Sequence, residues 1–378
     1  MKYLVLNVAH GLGPIIRLLE LGEELNRQLA ERGTDKYSFI IPDLGERQNL
    51  AVADEFRHSD IIHHILVDPI YGRSLTKIAY KGDDHRDFLC NIVSIQPKAQ
   101  EEIAKHFKKE FTVHGFSENK ERRIRPSDCY EIARNPFVRL PFPGFMYTFG
   151  YRSDIIKEMQ KEGVQGYDEK TMEQLLSILE TAEEGREINF VQDPPTIKPS
   201  AARSFTYTPL HARRKLSNNE QIEQGVYVSV TGIKGLREKL IADAERMKLR
   251  LYSSVSVSKD FPEAVVKSPD IVTNPNIKCV FARFGWGAIT LALMSEKPLI
   301  TPQTDFRDDP EIFLNKRLLV DDLKLASVLD NRHVEEVLEE ASERAKGISK
   351  FLSQLQAKYK TVEGPAYASR ILADYLTR

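Results

Sequence analysis

Two side chains capable of chemistry follow apolar segments of this sequence. His10 stands in AHGLGP, after the run YLVLNV, and Arg283 stands in RFGWGA, after the run KCVFA. An imidazole titrates near neutral pH and can accept a proton from a hydroxyl group. A guanidinium offers a planar set of donors to a diphosphate or a carboxylate. The alternatives are a histidine that bonds the backbone of its own turn and an arginine in a salt bridge with an acid such as Asp305.

A pair of glycines accompanies each of these side chains. Gly11 and Gly13 form the first pair, and Gly285 and Gly287 form the second. Glycines at the end of a strand let the backbone turn sharply and present N–H groups at a helix start, which suits a phosphate or diphosphate. Trp286, the only tryptophan, stands inside the second pair as either a pocket wall or a core residue.

Further candidates follow two other apolar runs. Thr231 and Gly232 end the segment VYVSVTG, where backbone N–H groups could meet a phosphate. Asp305 lies in a charged loop after the apolar segment PLIT, and a plain surface loop is the alternative there. The pattern Asp308-Asp309 is not a D-x-D motif, so we predict no metal site.

The first of these sites is positioned by a strand, a turn, a helix and a second strand. We predict strands at Tyr3–Val8 and Tyr37–Pro42, and an amphipathic helix at Ile15–Arg32 between them. Ligands bind at the carboxyl ends of the strands in open α/β sheets, which is where His10 falls. The third glycine of a dinucleotide-binding fingerprint is replaced by Ile16, so we predict no NAD site.

The same arrangement recurs in the second half of the chain. The segment VYVSVTG predicts a strand, and Gly235–Lys248 and Leu249–Ser253 predict a helix and a strand. Lys278–Ala282 and Ala288–Ser295 then predict a strand and a helix around the second glycine pair. The fold class is therefore α/β with two parallel-sheet domains. The segment DPPTIKPSAA is typical of a linker, which predicts domains at 1–200 and 201–378.

Three other segments have weaker patterns. We predict a strand at Phe88–Ile95 and a short helix at Ser258–Lys267. Pro136–Gly150 is rich in proline, glycine and aromatic residues, which predicts an irregular ordered loop. This loop either lines a pocket or simply covers the core.

Composition excludes several classes of protein. The chain has 378 residues, with 54 basic and 55 acidic side chains and a formal net charge of -1, which does not favour nucleic acid or an anionic membrane as partner. The three cysteines lack C-x-x-C spacing. We therefore expect a protein of a reducing compartment, and we predict no zinc site. We find neither a membrane-spanning apolar run nor a signal peptide, and we expect a soluble cytoplasmic protein.

The pattern R-F-G-W-G-A-I, a helix, and then K-P-L-I-T-P-Q-T-D-F-R-D-D-P resembles the donor half of GT-B glycosyltransferases. It is similar to the arginine-led version of that motif, within the inverting UDP-glycosyltransferase and peptidoglycan GlcNAc-transferase-like superfamily. The segment AHGLGP resembles the histidine-containing loop after the first strand of the acceptor half. The resemblance implies two Rossmann-like domains that face across a cleft, with the acceptor side in 1–200 and the nucleotide-sugar donor side in 201–378. It also implies that the terminal helix crosses back to pack on the first domain.

This resemblance also implies roles for the candidate residues. His10 would act as the base or steady the diphosphate, and Asp305 would touch the transferred sugar. The donor would contact the chain at the set Gly11, Gly13, Thr231, Gly232, Arg283, Gly285, Trp286 and Gly287. The resemblance implies no cofactor. The co-substrate would be a UDP-linked nucleotide-sugar. The protein would transfer a hexosyl or N-acetylhexosaminyl group from it to an unknown acceptor, without a metal.

One departure from the family pattern keeps other functions open. The family places a glutamate four residues after the second glycine, where it holds the ribose hydroxyls, and this sequence has Leu291 there. A non-catalytic or repurposed GT-B module that binds a small ligand or a protein partner is therefore one alternative. A sugar-nucleotide epimerase on the same fold is another, because fold alone does not decide the chemistry. The sequence does not determine the oligomeric state.

Overall fold

The chain forms two compact units in the computed structural model, which describes residues 2–8, 12–78, 85–118, 120–163, 168–230, 236–255, 257–303 and 309–377. The first unit comprises Met1–His211 together with Gly364–Arg378, and the second comprises Ala212–Glu363. The fold is mixed α/β, as predicted, with one largely parallel sheet in each unit.

The first unit contains alternating strands and helices. Its strands are β1 (Tyr3–Val8), β2 (Ser38–Pro42), β3 (Ile65–Asp68), β4 (Phe111–Gly115), β5 (Glu121–Ile124), β6 (Cys129–Arg134), β7 (Gly144–Thr148), β8 (Ile188–Gln192) and β9 (Thr206–Thr208). Its helices before the second unit are α1 (Leu12–Glu31), α2 (Glu46–Glu55), α3 (Pro69–Thr76), α4 (His85–His106), α5 (Arg152–Lys161) and α6 (Glu169–Glu183).

These strands pair in the order β5-β4-β3-β2-β1-β6-β7-β8-β9. Neighbours are parallel, except that β4 runs antiparallel to both β3 and β5. Every residue of β1 is buried because apolar cores cover both faces of the sheet. The carboxyl ends of β1 and β6 lie side by side, with Val8 paired to Arg134.

The second unit has its own sheet and core. Its strands are β10 (Gly225–Ser229), β11 (Arg250–Ser253), β12 (Val265–Val266), β13 (Ile277–Ala282), β14 (Leu299–Pro302) and β15 (Ser327–Leu329). They are parallel, in the order β12-β11-β10-β13-β14-β15. The helices are α7 (Leu236–Arg246), α8 (Trp286–Met294), α9 (Pro310–Lys316), which continues as a π-helix over Arg317–Asp322, and α10 (Val334–Tyr359).

The last helix, α11 (Gly364–Leu376), belongs to the first unit and packs on α1. Ala368, Leu372 and Ala373 join the core on the α1 face of the sheet. At the start of α11 the Gly364 N–H donates to the Leu210 carbonyl oxygen at 2.6 Å. A Cβ at this glycine would lie 2.8 Å from that oxygen, so only glycine allows so close an approach.

The structure corrects two of the weaker sequence predictions. The predicted strand Phe88–Ile95 is part of α4, and the predicted helix Ser258–Lys267 is a series of turns followed by β12. Pro262 stands in the middle of that second segment and lacks the N–H that a helix interior requires. The predicted irregular loop Pro136–Gly150 contains β7.

Candidate functional site

The candidate donor site is built where β13, a central strand of the second sheet, ends. The chain leaves β13 at Ala282, turns over three residues and enters α8 at Trp286. The Gly285 N–H donates to the Arg283 carbonyl oxygen at 2.8 Å, and the Gly285 carbonyl accepts from the Ala288 and Ile289 N–H groups at 3.0 and 3.1 Å. The turn therefore places the positive end of the α8 dipole at the carboxyl edge of the sheet.

The two glycines of this turn have open space where a side chain would stand. A Cβ added at Gly285 or Gly287 meets no described atom within 4 Å. Between them, the side chain of Trp286 is only 2 % exposed, which fits the core interpretation of this residue rather than an exposed pocket wall. The turn thus combines a buried anchor with two positions at which a ligand can approach the backbone.

Arg283 is half-buried and directly follows β13. The structure therefore brings Arg283, Gly285, Trp286 and Gly287 together in one turn, as the spacing predicts. A guanidinium at the start of a helix adds a positive charge to that of the helix dipole, which favours an anionic group at this edge.

Asn315 supports the turn from α9 and was missed by the sequence analysis. Its Nδ2 donates to the Phe284 carbonyl oxygen at 2.8 Å, and both residues are fully buried. This buried hydrogen bond fixes the backbone of the turn that contains Arg283. The only signal in the sequence is that the polar Asn315 follows the apolar Phe313 and Leu314. Its partner lies 31 positions away, so the sequence does not reveal what it bonds.

Several predicted site residues lie outside the described residues. These are His10, Gly11, Thr231, Gly232 and Asp305. Gly13 is described, in the first turn of α1, and a Cβ there would meet no described atom within 4 Å.

The strand that leads to His10 is anchored by a buried polar network. Asn7 Nδ2 donates to Glu131 Oε1 at 2.5 Å and to the Val138 carbonyl oxygen at 2.7 Å, and Arg186 donates to the same Glu131 oxygen at 2.7 Å. Burial raises the pKa of Glu131, while the Arg186 charge and the Asn7 hydrogen bond oppose that rise. These contacts hold the carboxyl end of β1 in place ahead of the candidate base.

A second buried cluster at the carboxyl edge of the first sheet was also missed. His211 is fully buried, stacks on the Tyr147 ring at 3.5 Å and lies 3.0 Å from the Arg134 guanidinium through Nδ1. Arginine only donates, so Nδ1 accepts and Nε2 carries the proton that it donates to Thr208 Oγ1, 2.7 Å away. The partners of His211 therefore fix its neutral tautomer.

The electrostatic environment keeps this imidazole uncharged. Burial lowers the pKa of His211 well below its usual range, and the charges of Arg134 and Arg17 act in the same direction. A histidine in this state is a structural hydrogen-bonding group of the sheet edge.

The described part of the chain offers neither a metal-binding cluster nor a membrane-spanning helix. Among those residues no group of three or more histidine, cysteine, aspartate or glutamate side chains is placed to hold a metal ion. None of the described helices is long and apolar enough to cross a membrane.

No family model and no curated protein sequence matches this chain. Solved structures do match it over its full length. A Polygonum tinctorium UDP-glucosyltransferase that glucosylates indoxyl aligns with a TM-score of 0.62 at 11% identity, covering 100% of this chain and 99% of that one. The calicheamicin glycosyltransferase CalG4 aligns with a TM-score of 0.59 at 14% identity, with the same coverage.

A third match is a UDP-glucose:anthocyanidin 3-O-glucosyltransferase in complex with UDP. It aligns with a TM-score of 0.57 at 14% identity, covering 100% of this chain and 99% of that one. The fold predicted from the two glycine motifs is confirmed: the chain has the GT-B glycosyltransferase fold, with two parallel-sheet domains.

Proposed function

We propose that this protein is a glycosyltransferase that moves a hexosyl or N-acetylhexosaminyl group from a UDP-sugar to an acceptor hydroxyl. The observation that carries the proposal is the full-length likeness to glycosyltransferases, among them an enzyme that glucosylates indoxyl and one with bound UDP. The glycine turn at the start of α8 supports it, because it lies in the unit where the motif resemblance predicts the donor.

In this proposal the donor diphosphate lies against the turn between β13 and α8. The two glycines let its oxygens approach the backbone, and Arg283 pairs with the charge that develops on the UDP leaving group. Protein groups rather than a metal ion supply this stabilisation. Asn315 holds the turn carbonyl and is a positioning residue.

His10 is the proposed base for the acceptor hydroxyl. It follows β1, whose carboxyl end is anchored through Asn7 to Glu131 and to the Val138 carbonyl. A neutral imidazole accepts the hydroxyl proton as the oxygen attacks the anomeric carbon and the bond to the diphosphate breaks. Asp305 is the proposed contact to the transferred sugar, and Thr231 and Gly232 complete the diphosphate site.

One observation favours a second candidate, a GT-B module that binds a ligand without transfer. Leu291 lies in α8, where the resembling family has the glutamate that holds the ribose. A leucine side chain cannot accept a hydrogen bond, so that contact is absent whichever nucleotide binds. In the transferase proposal the diphosphate contacts carry the affinity instead.

A thermal-shift titration with UDP, GDP, dTDP and ADP separates the two candidates. A ligand that binds only the folded state adds about 2.7 kcal/mol of stability at a hundredfold excess over Kd. We expect a shift with UDP that is lost in Arg283→Ala. Arg250→Ala is the matched control, because it removes an exposed arginine at the amino end of β11 in the same sheet.

The absence of a shift with every nucleotide would overturn the transferase proposal and favour the binding module. If UDP binds, release of UDP from UDP-glucose and UDP-N-acetylglucosamine is measured with a panel of phenolic and sugar acceptors. A product heavier than the acceptor by one sugar residue supports transfer. Conversion of the donor into an isomer, with no UDP released, would instead identify an epimerase.

A further inference from the structure

A cavity of about 710 Å³ lies within the first unit, between α2 and the strands at one edge of its sheet. Its apolar side is formed by Leu50 and Ala53 of α2, by Val67 of β3 and by Phe116, which follows β4. This size falls within the range of about 300–1,000 Å³ typical of pockets for small molecules.

One face of α2 is directed at this cavity. Glu46, Asn49, Leu50 and Ala53 are spaced three to four positions apart and line it together. Leu50 is 50% exposed, although the sheet edge beside it offers the apolar Val67 and Phe116. An apolar body placed in the cavity would cover that leucine and gain the free energy of burying it.

Two carboxylates line the cavity near the start of α2, those of Asp43 and Glu46. The other titratable residue in its described lining is His114, and that lining contains no lysine or arginine. Asp43 Oδ1 accepts the Gly45 N–H at 3.1 Å, which fixes the orientation of the carboxylate. The start of α2 contributes only about half a positive charge, so the two carboxylates outweigh it and favour a cation.

We propose that this cavity binds a small amphipathic amine. The apolar or aromatic body packs against Leu50, Val67 and Phe116, and the protonated amine lies toward Asp43 and Glu46. All of these residues belong to the first unit, whereas the turn at α8 belongs to the second. The proposal therefore holds whether or not the protein transfers sugars.

Three probes with the same phenethyl body test the charge preference on the full chain. Phenethylamine, phenethyl alcohol and 3-phenylpropionate have similar apolar bodies and a cationic, a neutral and an anionic end. Binding is measured by isothermal titration calorimetry at pH 7. We expect phenethylamine to bind about tenfold more tightly than the alcohol, and the carboxylate to bind most weakly of the three. Equal affinity for amine and alcohol would overturn the proposal.

Substitutions then locate the binding site. Asp43→Asn keeps an oxygen for the Gly45 N–H and removes only the charge, so we expect phenethylamine affinity to fall about tenfold. The exposed Glu46→Gln should cost about threefold. Glu173→Gln on α6 removes an exposed acid that does not line the cavity and should leave Kd unchanged.

A variant that fills the cavity tests the location of the bound amine independently. Ala53→Trp occupies the cavity from the exposed side of α2 and should abolish binding, while thermal melting monitors the fold of each variant. Phenethylamine binding that survives both Ala53→Trp and Asp43→Asn would place the amine elsewhere and overturn the proposal.

Discussion

His211 shows how its neighbours decide the state of a single side chain. Its ring lies among Tyr147, Arg134 and Thr208, all buried. Because burial and the two nearby arginines lower the pKa of His211, the folded protein keeps the ring neutral at pH values where an unfolded chain binds a proton. Its stabilising contribution is therefore complete above pH 6.5 and is lost as the pH falls from about 6.5 toward the lowered folded-state pKa.

We predict that His211→Asn flattens the dependence of unfolding free energy on pH. One such group contributes up to about 1.4 kcal/mol for each pH unit below 6.5. Urea unfolding of both proteins at several values between pH 7.5 and 5 should show the smaller slope in the variant. His58→Asn, which removes an exposed imidazole, controls for the loss of a histidine. Equal slopes for His211→Asn and the parent would contradict the prediction.

At the scale of residues, the sequence predicts contacts between residues that are close together in the chain. Arg283, Gly285 and Gly287 form one turn because a strand, two glycines and a helix are consecutive in the chain. Thr208 is a local partner of His211, but Arg134 lies 77 positions earlier, and the order of strands brings it and Tyr147 to the ring. The sequence alone therefore could not reveal this cluster. The same limit applies to Asn315 of α9, whose partner Phe284 lies 31 positions earlier in the chain.

The predicted strand Phe88–Ile95 was wrong because its pattern of apolar residues belongs to a helix, α4. Phe88, Leu89 and Ile92 are buried while Asn91 and Ile95 are exposed, which is a helical spacing rather than the alternation of a strand. The short apolar run FLCNIV permits either interpretation, and only the continuation of the buried face through Ala99 and Ile103 decides it.

Two substitutions of the same kind test this face. Ile92→Ala should lower the unfolding free energy by about 2–5 kcal/mol, because it opens a cavity in the core that α4 shares with the sheet. Ile95→Ala on the same helix removes a side chain that is 36% exposed and should cost clearly less. Guanidinium denaturation followed by circular dichroism measures both. Equal losses would indicate that α4 does not pack through the Ile92 face.

At the scale of the whole molecule, the first unit is formed by two separate segments of the chain. The chain builds most of the first unit, then the second, and returns to the first with α11. Leu372 and Ala373 join the core beside α1, and Arg32 at the end of α1 pairs with Asp374 at 2.7 Å. Sequence patterns predict much of the alternation of strands and helices within each unit. The return of the last helix is implied only by the resemblance to GT-B glycosyltransferases, because it depends on tertiary packing.

We predict that Leu372→Ala destabilises the first unit selectively. The loss should be about 2–5 kcal/mol, and amide hydrogen exchange should accelerate in α1 while α7 of the second unit keeps its protection. Arg370→Ala on the exposed side of the same helix is the control. Faster exchange in α7 together with α1 would mean that the two units unfold as one.

The return of α11 also has a consequence for the order in which the protein matures on the ribosome. The first domain to emerge cannot complete its core until residues 212–363 have been synthesised, because its final helix follows them in the chain. During that interval the face of α1 that α11 later covers is exposed to solvent or to a chaperone. A ribosome that stalls within the second domain would therefore leave two unfinished domains rather than one finished domain and one fragment.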